Sequence, residues 1–334
     1  MKLNKFIYML LFLTAASLLF AQKDSVKVLG INLENYEYPY PVEYIELSIQ
    51  GETYSMAYMD VKPDEPNGKN IMLLHGKNFN GAYWEHTAKV LSENGYRVII
   101  PDQIGFGKSS KPEHFQYSFQ QLAMNTRQIL ENLGIEKIAV LGHSMGGMLA
   151  TRFTLMYPDL VEKFILVNPI GLEDYKVKVP YKPVDWWYKN ELKSNYDSIK
   201  EYQLKSYYDN KWKDEYDPWV NVLAGWTLNE DYPIIAWNAA LTYDMIFTQP
   251  VCYEFGNITQ PSLLIIGQRD RTALGKNLVS EEVRETMGYY PDLGKETQAK
   301  IPDCKLVEID DTGHLPHIES FDRFIKPLLE FLAE

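Results

Sequence analysis

The sequence predicts an α/β fold in which a mostly parallel sheet is covered by helices on both faces and interrupted once by an inserted helical module. Three observations predict it. Short apolar runs alternate with stretches of helical spacing from Tyr44 to about Ile170, the rhythm of successive β-α-β units. The runs "NIMLLHG", "YRVIIPD", "KIAVLGHS" and "KFILVNP" are apolar nearly throughout, as expected of strands buried on both faces. The rhythm stops at about Gly171 and resumes near residue 254 with "PSLLIIGQRD" and "CKLVEIDDTGH".

The elements follow in order. Lys2 and Lys5 precede an apolar run from Phe6 to Phe20, and "LFAQ" offers cleavage after Ala21, although Leu19 departs from the small-x-small rule. The run is shorter than the ~18 apolar residues a membrane span needs. A signal peptide over 1–21 is therefore expected, with a periplasmic or secreted mature protein and no stable membrane insertion after cleavage. Residues 22–43 read as a linker. "YIELSIQGETYSMAYMDV" alternates apolar and polar residues around Gln50-Gly51 and reads as a hairpin at the antiparallel edge of the sheet. "AYWEHTAKVLSENG" has helical spacing and stops at Gly95. Ser118 and Gln121 form a capping box for a helix from Phe119 to Leu133. "MGGMLATRFTLMYP" is a helix halted by Pro158, and a terminal helix runs from Ser320 to Leu332.

Length and composition bound the function. The chain has 334 residues, enough for one core domain with an insertion. Its net charge of −12 argues against a nucleic-acid partner and against docking on anionic lipid. No Cys and His cluster has zinc spacing, so no metal site is expected. Cys252 and Cys304 are the two cysteines; a disulfide and two separate thiols both fit. Aromatic residues are abundant, at 24 tyrosines and 7 tryptophans. Six of those tryptophans (Trp186, Trp187, Trp212, Trp219, Trp226 and Trp237) fall in the insertion. For most of them, packing the module onto the core is the expected role; together they also suit an apolar or aromatic small-molecule substrate.

"VLGHSMGGMLA" carries G-x-S-x-G at Ser144. By chance alone about one chain of this length in ten would carry that motif, at ~7% for each residue type. Here an apolar strand precedes it and a helix follows, the context in which a strained turn presents a serine above a sheet. Bulk at Gly142 or Gly146 would block the close strand–helix approach. A serine hydroxyl needs a base and the base an orienting acid, and both follow in chain order. Asp270 lies just beyond "SLLIIG", and His314 just beyond "KLVEID". His317 is the rival base, but it falls at the start of the terminal helix. Asp303, Asp310 and Asp311 are rival acids, the first ahead of its strand and the others crowding the His314 loop. Asn168, at the end of "KFILV", cannot carry charge. The backbone N–H groups of Met145 and Lys77 are the expected oxyanion donors. His75 and His143 are expected to brace the turn, and the direction of the Lys77 side chain is open.

Taken together, "HGKNFNGAYW", "PDQIGFGKSSKP", "GHSMGG", "GQRD" and "DTGH" resemble the α/β-hydrolase superfamily from about Tyr44 to the C-terminus. The resemblance implies an α/β-hydrolase fold with an eight-stranded sheet and no cofactor. It places the core at 44–170 and 254–334 and a helical cap at 171–253. It assigns Ser144 as nucleophile, Asp270 as acid and His314 as base, with Lys77 and Met145 at the oxyanion positions. The chain looks closest to the capped branch of esterases and C–C bond hydrolases. Epoxide hydrolases and haloalkane dehalogenases carry Asp where this chain has Ser144, and proline iminopeptidases carry "GGSWG". The expected activity is that of a serine hydrolase, carboxylesterase-like. A C–C bond hydrolase of meta-cleavage type with the same triad is the alternative, and a non-catalytic binding protein on this fold is the third reading.

Overall fold

The computed structural model describes residues 26–334, so the expected signal peptide lies outside the described residues. Eight strands form one sheet: β1 (Val42–Ile49), β2 (Glu52–Val61), β3 (Asn70–Leu74), β4 (Arg97–Pro101), β5 (Ile138–His143), β6 (Val161–Val167), β7 (Ser262–Gly267) and β8 (Cys304–Ile309). Their order is β1-β2-β4-β3-β5-β6-β7-β8. The β1–β2 and β2–β4 pairs are antiparallel and the remaining pairs parallel. The hairpin turns at Gln50 and Gly51, both at positive φ (54° and 87°), which matches the right-handed twist of the strands it joins. The mostly parallel, eight-stranded α/β-hydrolase fold expected from the sequence is the one observed.

The pleat explains why the central strands are apolar throughout. Met72, Leu74, Val140, Leu166 and Leu264 point into one core cluster, while Ile71, Leu73, Leu141, Val167 and Ile265 point into the other. Each such side chain contributes about 1.5–3 kcal/mol of burial. Helices α1 (Glu85–Glu93), α2 (Phe119–Asn132) and α3 (Met145–Met156) follow β3, β4 and β5. The Ser118 hydroxyl accepts the Gln121 N–H at 3.0 Å, capping α2. Leu122 and Met148 join the first cluster; Ala88 and Leu91 of α1 join the second.

Between β6 and β7 the described chain has no strand. It forms α4 (Val184–Glu191), α5 (Tyr196–Ser206), α6 (Asp217–Thr227) and α7 (Tyr232–Thr248). Most of the aromatic side chains here pack against one another: Trp187 stacks on Tyr243 at 4.5 Å, and Tyr208 on Tyr216 at 3.7 Å. The C-terminal part adds α8 (Glu281–Glu285), α9 (Tyr290–Lys300), a single turn α10 (Pro316–Glu319) and α11 (Phe321–Ala333). Among the described residues no helix is long and apolar enough to cross a membrane. Cys252 and Cys304 are separate free thiols.

One expectation is corrected. Over its described residues the segment read as a linker is a docked strap. Leu29 and Leu33 are buried against Val222, Trp226 and Ile235. The Leu29 N–H donates to Gly225 O at 3.1 Å, and Trp226 Nε1–H donates to Gly30 O at 3.0 Å. On the core side, Tyr38 Oη–H donates to Asp102 at 2.6 Å, and the buried Lys111 ammonium donates to Asn32 Oδ1 at 3.3 Å. Burial pushes the Lys111 ammonium down to about 7. The strap thus joins α6 and α7 to the loop after β4. The segment is built of turns and irregular backbone, so its apolar residues mark no helix or strand for sequence reading to find.

Candidate active site

Ser144 stands between the last residue of β5 and the first of α3, at φ 55° and ψ −123°. A non-glycine residue at positive φ is strained, and strain persists where surroundings over-determine it. Here Ser144 N donates to Val167 O at 3.4 Å, while Ser144 O accepts from Gly147 N at 2.9 Å and Ile170 N at 3.2 Å. The flanking glycines are required by space. A Cβ on Gly142 would lie 2.1 Å from Gly146 O, and one on Gly146 would lie 2.3 Å from Leu74 O. The strand and helix can approach this closely only without those side chains. Ser144 is 7% exposed.

Asp270 and His314, both fully buried, meet at the carboxyl end of the sheet with Nδ1 to Oδ2 at 2.6 Å. The Asp270 carboxylate has two further donors: the Thr272 N–H on Oδ1 at 2.8 Å and Asn168 Nδ2–H on Oδ2 at 2.8 Å. Asn168 also accepts the Gly267 N–H at 2.8 Å, so one amide ties the end of β6 to the acid and to the end of β7. Asn168 sits at φ 36°, a region Asn tolerates better than most residues. His314 Nε2 is buried and hydrogen-bonded to none of the described residues. The rival groups are elsewhere. Asp311 is exposed and paired with Lys211 at 2.6 Å, and Asp303 lies ahead of β8, where its carbonyl accepts the Ser262 N–H. His317 packs against Trp84 with ring centres 4.3 Å apart and the planes tilted by 30°, and burial holds its imidazole well below the usual histidine range.

His143 connects the two halves of the site. The Gly76 N–H donates to Tyr83 Oη at 3.0 Å, and that hydroxyl lies 3.0 Å from His143 Nδ1. His143 Nε2 lies 2.8 Å from the His314 carbonyl. With Nε2–H donating and Nδ1 accepting, the ring is neutral, in keeping with a pKa lowered by burial first and by His314 second. His75 braces the other side: its Nε2 accepts the Gln103 N–H at 3.0 Å and its Nδ1–H donates to Gly76 O at 2.9 Å. Gly76 itself packs on the serine, since a Cβ there would lie 3.0 Å from Ser144 Cβ.

The two expected oxyanion donors flank this point. Met145 is the first residue of α3 and has no carbonyl one turn earlier to bond. Lys77 directly follows Gly76. Its side chain lies against the insertion, with Nζ 3.7 Å from the centre of the Tyr243 ring. Lys77 and Asn78 open onto a cavity of about 320 Å³, whose other walls include Phe106, Trp226 and Tyr243. Ser144 and His314 do not line it; the cavity adjoins them through this loop and through Tyr207. Asn78 Nδ2–H donates to Tyr207 Oη at 2.9 Å, and the Tyr207 ring stacks on His314 at 4.7 Å. The His314 N–H in turn donates to Tyr207 O at 3.0 Å. Sequence reading set Asn168 aside only as an acid and found no signal at Tyr207.

A strained serine at a helix N-terminus, a carboxylate-bound imidazole and an adjoining cavity are the parts that acyl transfer uses. A family model described as the alpha/beta hydrolase fold matches residues 69–321. The chain belongs to that family. The crystal structure of a probable hydrolytic enzyme from Pseudomonas aeruginosa PAO1 superposes on this α/β-hydrolase with a TM-score of 0.91 at 51% identity, covering 92% of this chain and 99% of that one. A 2-hydroxy-6-oxononadienedioate/2-hydroxy-6-oxononatrienedioate hydrolase from Comamonas testosteroni is 26% identical over 285 residues, 81% of this chain and 90% of its own. Uncharacterized proteins from Mycobacterium bovis and Mycobacterium tuberculosis are 37% identical over 106 residues. That match spans 32% of this α/β-hydrolase and 30% of their length.

Proposed function

We propose that the chain is an exported serine hydrolase that cleaves a carboxylic ester or related acyl bond through an acyl-enzyme. The observation that carries the reading is the 2.6 Å contact between Asp270 Oδ2 and His314 Nδ1. An ionised carboxylate only accepts, so Nδ1 holds the proton and Nε2 keeps its lone pair for a serine. Ser144 Oγ adds to the substrate carbonyl carbon as its proton passes to His314 Nε2. The Lys77 and Met145 N–H groups meet the charge that develops on the carbonyl oxygen. His314 then returns the proton to the leaving alcohol oxygen as the C–O bond breaks. Water repeats the sequence on the acyl-enzyme and releases the acid. Phe106, Trp226 and Tyr243 in the cavity wall favour a substrate with an apolar or aromatic part.

The Comamonas relative, matched over 81% of this chain, favours a second reading: C–C bond hydrolysis of a vinylogous diketone by the same three residues. A p-nitrophenyl ester series and a meta-cleavage product, assayed side by side, separate the two. The ester reading expects turnover of the esters alone; turnover confined to the diketone replaces it. Export rests on Lys2, Lys5 and the apolar run that follows them. An intact mass of the exported protein beginning at Gln22 supports it, and a chain that keeps Met1 and stays in the cytoplasmic fraction rejects it.

A further inference from the structure

The Lys77 ammonium has an arrangement that the proposed chemistry leaves unused. Among the described residues it takes part in no ion pair and no hydrogen bond, and its contact is the face of the Tyr243 ring. The ring supplies attraction but no acceptor atom. The side chain is half-buried in the wall of the cavity, and burial pushes its pKa down, opposed by the field of Glu191 across the wall. Lys193 and Glu191 also line the cavity, yet neither is bonded to Lys77. An ammonium partly withdrawn from water and without an acceptor gains from an anion that completes it. With a net charge of −12, the molecule as a whole repels anions, so attraction for one must come from a local cation.

Position makes the point specific. The Lys77 N–H is the proposed donor to the oxyanion, and its ammonium is carried roughly 6 Å away on a four-carbon stem. An anionic group at Nζ therefore lies a few atoms from the scissile carbonyl, on the cavity side. We propose that Lys77 is a specificity-determining residue that binds a carboxylate at the far end of the acyl chain, so that the preferred substrates are monoesters of dicarboxylic acids. This rests on the hydrolase reading above. The apolar wall holds the chain between the two ends, and the Lys77–carboxylate pair forms out of bulk water, where a charge-assisted hydrogen bond is strongest.

The test compares monomethyl adipate with methyl hexanoate, which has the same acyl length and no charge, on the full chain by pH-stat. The native enzyme is expected to prefer the anionic ester by about tenfold or more in kcat/KM. Lys77→Met keeps the backbone N–H and is expected to lose that preference, with KM for the monoester raised about tenfold. Lys77→Arg is expected to retain it. An unchanged ratio in Lys77→Met overturns the proposal, as does an equal loss on both esters. A second readout needs no turnover: adipate dianion is expected to raise the Tm of the native protein and not of Lys77→Met, and its failure to do so also overturns the proposal. A Lys77-dependent shift in a protein that hydrolyses neither ester and takes no fluorophosphonate keeps the cation and rejects the hydrolase reading.

Discussion

Asn168 occupies the strand end next to Asp270, and its two amide atoms are both engaged, Nδ2 with Asp270 and Oδ1 with Gly267 N. Its removal leaves a buried carboxylate oxygen and a buried N–H short of partners, at about 1–3 kcal/mol each. Asn168→Ala is therefore expected to lower kcat about tenfold to a hundredfold, with KM little changed. Asn168→Asp adds negative charge beside the Asp270–His314 pair and favours the imidazolium. The acid limb of its kcat profile is expected to move to higher pH, which a role in folding alone would not produce. An unshifted limb would reject Asn168 as a positioning residue. The strand-end positions of Ser144, Asp270 and His314 were legible in the sequence because each closes or follows an apolar strand. Tyr207 was not, because it is delivered by the insertion, whose helices carry aromatic residues on several faces and so do not reveal which one meets the core. For Lys77, adjacency to a strand end locates the backbone, but nothing in the chain directs the side chain.

At the scale of elements, the strap and the helices between β6 and β7 act as one unit. Leu33 is fully buried in a small cluster with Val222, Trp226 and Ile235, apart from the two clusters that flank the sheet. Leu33→Ala removes the fully buried side chain that closes this cluster, at a cost of about 2–5 kcal/mol. Hydrogen exchange is expected to quicken in α6 and α7 while β3 and β5 keep native protection. Uniform loss of protection throughout the sheet would show instead that the strap belongs to the global folding unit. The sheet and its helices were readable because period 2 and period 3.6 patterns are written into strands and helices that face a core. The strap holds its place through a few side chains and backbone bonds such as Leu29 N to Gly225 O. Such contacts join residues nearly two hundred positions apart and leave no local pattern.

The whole molecule buries His75, His143 and His317, and in each case burial is the chief cause of a pKa below the usual histidine value. Unfolded, they titrate near 6.5. Below about pH 6.5 the unfolded chain binds protons that the folded one does not, so stability is complete above that pH and is lost as pH falls. The loss is up to about 1.4 kcal/mol per pH unit for each histidine. Denaturant midpoints at pH 7.5 and 5.5 are expected to fall accordingly, and His317→Phe to flatten the slope; equal midpoints would mean that the rings take up protons when folded. The proposed function depends on Ser144 as the activated nucleophile. It is tested most directly by treating the full chain with a fluorophosphonate and locating the adduct by peptide mass spectrometry. One adduct is expected, on Ser144, absent from a folded Ser144→Ala protein whose kcat is lower by about 10⁵–10⁶. A folded native chain that takes no label, or a Ser144→Ala rate only about tenfold lower, would contradict it.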